Sequence, residues 1–95
     1  MFTAPKGWSM LSYQARAFRE DVGRRLRDRR ESLGLTQEQI AWEAGVAQGS
    51  ISYYEQGKSE IPLRVLIDIC RHLNVDPIEI VPSLHVSASN PDIAL

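Results

Sequence analysis

"LTQEQIAWEAGVAQGSISYYEQGK", residues 35–58, decides how this chain folds. Thr36 precedes a run in which Ile40, Ala41 and Ala44 recur at helical spacing, and Gln39 stands three residues after it, the pattern of a capping box. That apolar face is narrow and made of small residues, suited to close approach of another helix, and it leaves Gln37, Gln39 and Glu43 facing outward. Gly45 ends the run. Only Gly45, Val46 and Ala47 separate it from a second periodic segment, Gln48 to Glu55, in which Ile51 and Tyr54 share a buried face before Gly57 supplies the next stop. So short a connection forces a steep crossing, and the stretch reads as helix, tight turn, helix.

The flanking sequence extends this reading. Residues 1–14 contain Pro5, Gly7 and scattered aromatics without periodicity, and are expected to form a leader or flexible arm. From about Ala15, Phe18, Val22, Leu26 and Leu33 fall on one face, which predicts an amphipathic first helix ending near Gly34. Arg30 lies on that same stripe, where a cation must either snorkel outward or meet a partner. Downstream, "EQGKSEIP" gives a glycine stop and a proline restart, and Leu63, Leu66, Ile67, Cys70 and Leu73 make the stripe of a fourth helix. In "NVDPIEIVP", Asp76 caps, Pro77 occupies the first turn and Glu79 closes a second capping box, so a short fifth helix runs to about Val81 and stops at Pro82. The tail, residues 83–95, alternates weakly at Leu84, Val86 and Ala88 and then turns at Asn90-Pro91; it is either disordered or an arm that pairs with another subunit. The expected organisation is one domain over residues 15–82 between two arms.

Composition narrows the function. With 95 residues and 43% hydrophobic content the chain can build one modest core but not a deep cleft beside it, which points away from catalysis. Cys70 is a lone thiol suited to a buried apolar site and a reducing compartment. His72 sits two residues beyond Cys70 on a helix, the wrong spacing for ligands to converge, and His85 lies in the tail, so neither a metal nor another cofactor is expected. No apolar run approaches the ~20 residues that span a bilayer and no signal peptide is evident, which predicts a cytoplasmic protein. The net charge of −1 hides a polarity: residues 1–31 hold eight Lys/Arg against four Asp/Glu, and residues 32–95 three against eight. The arginine-rich first helix either attracts a polyanion or is a solvated face laced with its own acids. Trp42 lies off the apolar stripe of its helix, either a surface aromatic covering neighbouring methylenes or a contact for a partner.

Taken together, "R..R...GLTQEQIA...GV", "SIS.YE.GK" and "L..L..IC..L.V" over about residues 18–81 resemble the Cro/cI-type (XRE-like) helix-turn-helix family of phage repressors and bacterial regulators. The resemblance implies an all-α fold: a compact five-helix lambda-repressor-like DNA-binding domain with flexible N- and C-terminal arms, whose third helix lies in the DNA major groove. It implies DNA base-reading roles for Gln48, Gly49 and Tyr53, with Ser50 and Ser52 beside them, and phosphate-binding roles for Thr36, Gln37, Gln56 and Lys58. Gln48 is the strongest candidate reader, because its amide can donate to and accept from adenine at once. The resemblance also implies a structural ion pair between Arg30 and Glu55, tying the first helix to the third.

Three positions depart from the family pattern. Ala47 stands where a serine or threonine cap is frequent, Gly49 removes a side chain from a reading position, and Glu60 and Ile61 occupy a loop that is often basic or polar. Lys58 is the only cation between residues 36 and 61, against Glu38, Glu43, Glu55 and Glu60, so charge for DNA must come from the first-helix arginines or from Lys6. The expected function is a sequence-specific transcriptional regulator, a homodimeric repressor or controller on a palindromic operator. Its dimer surface is expected on the fifth helix and tail through Ile78, Ile80, Val81 and Leu84, although core is the other reading for some of these. The alternative is a protein-interaction module, such as an antitoxin-like subunit with weak or secondary DNA binding, favoured by Trp42, Tyr53, Tyr54 and the acidic recognition side.

Overall fold

The computed structural model describes residues 6–85. Five α-helices follow one another: α1 Lys6–Ser32, α2 Gln37–Ala44, α3 Gln48–Glu55, α4 Leu63–His72 and α5 Pro77–Ile80, with a 3-10 turn at Pro82–Leu84. All regular structure among the described residues is helical. The segments 1–5 and 86–95, which include most of the expected C-terminal arm, lie outside the described residues.

The helix starts follow side-chain chemistry. The Thr36 hydroxyl accepts from the Gln39 N–H while the Gln39 side chain accepts from the Thr36 N–H, and Asp76 and Glu79 form the equivalent box at α5. The stops share one device. After α1, α2, α3 and α4 a residue with positive φ, respectively Gly34, Gly45, Gly57 and Asn74, reverses the chain. Paired bonds close each end, as where the Val46 N–H donates to the Ala41 carbonyl at 3.0 Å and the Gly45 N–H to Trp42 at 3.3 Å. Three of the four residues that follow, Leu35, Val46 and Val75, pack against the core, so each of those stops also turns an apolar side chain inward.

The core draws on every helix: Val22 and Leu26 from α1, Ile40, Ala41 and Ala44 from α2, Ile51 and Tyr54 from α3, Val65, Leu66, Ile69 and Cys70 from α4 with Leu73, and Ile80 with Val81 at the end of α5. Several details depart from the periodicity reading. Helix α1 begins at Lys6, well before Ala15, and runs through Gly7, whose penalty of about 1 kcal/mol relative to alanine does not break so long a helix. Phe18 and Leu33 remain 46% and 43% exposed, because α3 and α5 cover only the middle of α1. On α4, Leu63 and Ile67 are exposed while Val65 and Ile69 are buried. The segment LRVLIDIC is apolar on several sides, so more than one helical stripe satisfies its spacing, and packing on α2 selects the face. Ile80 and Val81, expected on a dimer surface, are instead core residues, which leaves Leu84 exposed and Ile78 half-buried.

One contact sets the depth of the α1–α3 crossing. Gly23 is buried, and a Cβ built on it would lie 2.3 Å from the Tyr54 carbonyl oxygen and 2.6 Å from that of Glu55. A Cβ at Gly57 would come within 2.7 Å of the Glu20 backbone. The two helices therefore meet backbone to backbone, which only glycine allows.

Candidate functional site

Helix α3 is held from behind and open in front. Its inner side inserts Ile51 and Tyr54 into the core. Its outer side carries Gln48 and Gly49, both exposed, Ser50 and Ser52, half-buried, and Tyr53, 55% exposed. Ala47 has the extended backbone of an N-cap residue (φ −71°, ψ 149°) but no side-chain acceptor, so the first turn of α3 lacks a side-chain cap.

The C-terminal end of α3 is fixed by a buried carboxylate. The Glu55 side chain is 2% exposed and accepts three hydrogen bonds: Arg30 Nε at 2.7 Å, Arg30 Nη2 at 3.0 Å and Gln37 Nε2 at 3.0 Å. Arg30 also donates from Nη1 to the Leu35 carbonyl at 2.7 Å. The hydrogen bond to Glu55 is the chief cause that holds the Arg30 guanidinium above its ordinary range, against the opposing effect of burial. One side chain from α1 and one from α2 thus converge on α3, and the orientation of α3 depends on all three. The cation on the α1 stripe meets its partner inside the protein.

The proposed phosphate contacts are already engaged with the protein. Gln37 spends its amide N–H on Glu55, and the Thr36 hydroxyl takes part in the α2 capping box. Gln56 donates to the Ser52 hydroxyl at 2.7 Å and to its carbonyl at 3.1 Å, so a loop residue and an α3 residue are bonded to each other. Lys58 Nζ lies 5.7 Å from the centre of the Tyr53 ring, within cation–π reach.

A profile for a helix-turn-helix domain matches residues 21–81, which contain this whole arrangement from the α1–α3 crossing to α5. The chain belongs to the helix-turn-helix domain family.

Its likeness to individual members is consistent with this. Over 60 residues the chain is 32% identical to the antitoxin PezA of Streptococcus pneumoniae, covering 63% of this chain and 38% of that protein. Over 54 residues it is 43% identical to a transcriptional regulator in the ATPase CF(0) region of Rhodospirillum rubrum, covering 57% of this chain and 50% of that one. The chain therefore spans half or less of the length of these curated relatives. Among solved structures it superposes on the restriction-modification controller protein C.AhdI of Aeromonas hydrophila with a TM-score of 0.65 and 28% identity, covering 67% of this chain and 97% of that one. It also superposes on the clp gene regulator ClgR of Corynebacterium glutamicum with a TM-score of 0.64 and 30% identity, covering 81% and 86%.

Around the helix-turn-helix unit, the arginines of α1 all have partners. Arg16 pairs with Glu20, Arg24 and Arg25 with Asp21, and Arg27 with Glu31. Arg19 donates to the Gly57 carbonyl at 3.1 Å, and Arg29 caps the end of α4 through the carbonyls of Leu73 and Asn74. The laced face is the arrangement adopted, and Arg19 and Arg29 are fasteners that periodicity did not single out. Gly23 was missed as well; the signal for it was a glycine between Val22 and Leu26 inside a strongly periodic helix.

Beside α3, an open cleft of about 690 Å³ is bordered by Thr36, Glu38, Trp42, Glu43, Gln48 and His72, with Trp42 84% exposed at its edge. Among the described residues no cluster of His, Cys, Asp and Glu could hold a metal ion, and no helix is long and apolar enough to cross a membrane.

Proposed function

We propose that this helix-turn-helix chain is a sequence-specific DNA-binding transcriptional regulator that acts as a homodimer on a palindromic site, with α3 in the major groove. The observation that carries this reading is the mounting of α3: its inner side is locked by Ile51, Tyr54 and the Arg30–Glu55–Gln37 network, while Gln48, Gly49 and Tyr53 face outward. A rigid helix with an open polar face is what reading base edges requires, since a mobile helix would spend binding energy on being ordered. Gln48 is the candidate adenine reader, worth roughly 1–3 kcal/mol of discrimination. Tyr53 and Lys58 act together at the far end of the helix, and Gly49 lets the backbone approach the groove, with specificity there supplied by water or DNA shape. Thr36, Gln37, Gln56 and Lys58 position the phosphate backbone, with Gln56 exchanging its bond to Ser52 for one to DNA. Two copies about 34 Å apart would set both α3 helices on one face of the duplex.

Selection of bound fragments from a random DNA pool tests this reading. It should yield a two-fold symmetric motif, and Gln48→Ala should relax one position in each half-site. An unchanged motif removes Gln48 as a reader, and no enrichment rejects the DNA reading.

A second reading, an interaction module of the antitoxin kind, draws support from the likeness to PezA and from Trp42 standing exposed beside an acid-bordered cleft. Salt separates the two. DNA binding should weaken with a log–log slope of about −0.9 per neutralised phosphate, whereas a protein contact centred on Trp42 should respond weakly.

A further inference from the structure

The outward side of α2 is left unused by the fold. Ile40, Ala41 and Ala44 are buried, whereas Glu38, Gln39, Trp42 and Glu43 are all exposed. Glu38 and Trp42 stand four residues apart, so the carboxylate and the indole lie on one face, a turn from each other. This face forms one wall of the open cleft of about 690 Å³, and His72 of α4 borders it with its Nδ1 3.6 Å from the Glu43 carboxylate. Half-buried Leu35 and Val46 add apolar lining. Trp42 is 84% exposed, and so offers to solvent a surface that tryptophan ordinarily places in a core or an interface. Glu38 takes part in none of the ion pairs among the described residues, unlike Glu20, Asp21 and Glu31 of α1.

We propose that this cleft docks a segment of another protein through an arginine of that partner, whose guanidinium lies on the Trp42 ring and bonds the Glu38 carboxylate while a neighbouring apolar side chain rests on Leu35 and Val46. The proposal rests on the interaction reading above, for which it supplies the chemistry of the partner, and needs no contact of α3 with DNA. Charge selects the occupant. Glu38 and Glu43 line the cleft and no Lys or Arg does, so the phosphates of a nucleic acid would be repelled there. Arginine suits the site better than lysine, because a planar guanidinium can stack on an aromatic face and donate in a fork to a carboxylate, and Trp42 with Glu38 offers both at once. A free small cation fits less well. The cleft is open, so such a ligand would stay largely hydrated, whereas a peptide segment also covers the apolar lining. A second copy of the chain would have to break bonds of its own α1, whose Arg16, Arg24, Arg25 and Arg27 are paired with acids of the same helix. Tryptophan and arginine are also the side chains that most often dominate contacts between proteins.

Panning the full chain against a phage-displayed library of random dodecapeptides tests the proposal. The expected consensus contains an arginine close to an apolar residue. In fluorescence anisotropy of the labelled peptide, Trp42→Ala and exchange of that arginine for citrulline should each weaken binding at least tenfold, and Glu38→Gln at least threefold. Leu63→Ala, at an exposed position outside the cleft, should leave it unchanged. Trp42 lies outside the core, and an unaltered thermal midpoint shows that Trp42→Ala still folds. No enrichment, or a consensus without a cation, overturns the proposal. So do peptides that bind Trp42→Ala equally well, an outcome that keeps an interaction module but moves its contact elsewhere. A dimer of the chain that Trp42→Ala dissociates makes a second copy the occupant, and duplex DNA binding lost with Trp42→Ala gives the cleft to nucleic acid; either result rejects the proposal. Sequence selection by DNA is measured separately, so failure of this docking site and failure of DNA recognition are distinguishable.

Discussion

Replacing Arg30 with methionine removes the only cation hydrogen-bonded to the Glu55 carboxylate among the described residues, a group 2% exposed. Methionine fills much of the stem volume of arginine, so the change deletes charge and hydrogen bonds more than packing. Two charge-assisted bonds to Glu55 and one to the Leu35 carbonyl are lost, and Glu55 keeps Gln37 alone. At roughly 1.5–3 kcal/mol per charge-assisted bond, and with a buried carboxylate left unpaired, the expected cost is about 3–5 kcal/mol. A domain of this size has on the order of 5–10 kcal/mol in all, so about half its stability is at stake. Glu55→Leu should cost a similar amount by stranding Arg30. The double variant Arg30→Met, Glu55→Leu should recover most of the loss, because neither buried charge remains. Urea unfolding followed by helical circular dichroism gives all four stabilities, provided the urea slope is constant across the set. Little dependence on salt is expected, since the pair is shielded from the solvent ions that screen surface bridges. A cost below about 1 kcal/mol for either single variant, or a double variant as unstable as the sum of the two, would refute the view that Glu55 is the hub holding α3.

Gly23→Ala should destabilise the domain by about 3 kcal/mol or more in the same assay, because the added methyl meets the Tyr54 and Glu55 carbonyls rather than a side chain that can move. Ala47→Ser should stabilise by about 1 kcal/mol, since the backbone already has N-cap geometry and lacks an acceptor; a rise in thermal midpoint of a few degrees checks it. Burial, assisted by Asp76, pushes the Cys70 thiol from its ordinary 9.0 to about 11. The unfolded chain therefore loses its thiol proton first, and stability should fall by roughly 2–3 kcal/mol as pH rises from about 9 to 11. Cys70→Ala should remove that part of the decline, as seen in unfolding curves across this range.

The local grammar of the chain was open to reading in one dimension. Thr36 with Gln39 and Asp76 with Glu79 satisfy helix ends within three residues, and Gly34, Gly45 and Gly57 supply the positive φ that each stop requires. The helices around the tight turn follow from these signals together with the spacing of Ile40, Ala44, Ile51 and Tyr54. The cation on the α1 stripe raised the question of a partner, and resemblance to a family named Glu55.

Other features were decided only by the assembled fold. The face of α4 that packs inward, with Val65 and Ile69 rather than Leu63 and Ile67, was open in the sequence because helical spacing is degenerate where apolar residues surround a helix. Ile80 and Val81 entered the core because α5 lies across α1 and α4, a relation between segments far apart in the chain. Gly23 reads as an ordinary interruption until the Tyr54 and Glu55 carbonyls are brought against it. Likewise Gln56 and Lys58 are polar loop residues in the sequence, and only the structure bonds one to Ser52 and sets the other over Tyr53. Caps, stops and periodicity act over a few residues and so are written locally. Which face is covered, and which polar group has a partner, depends on where distant segments meet.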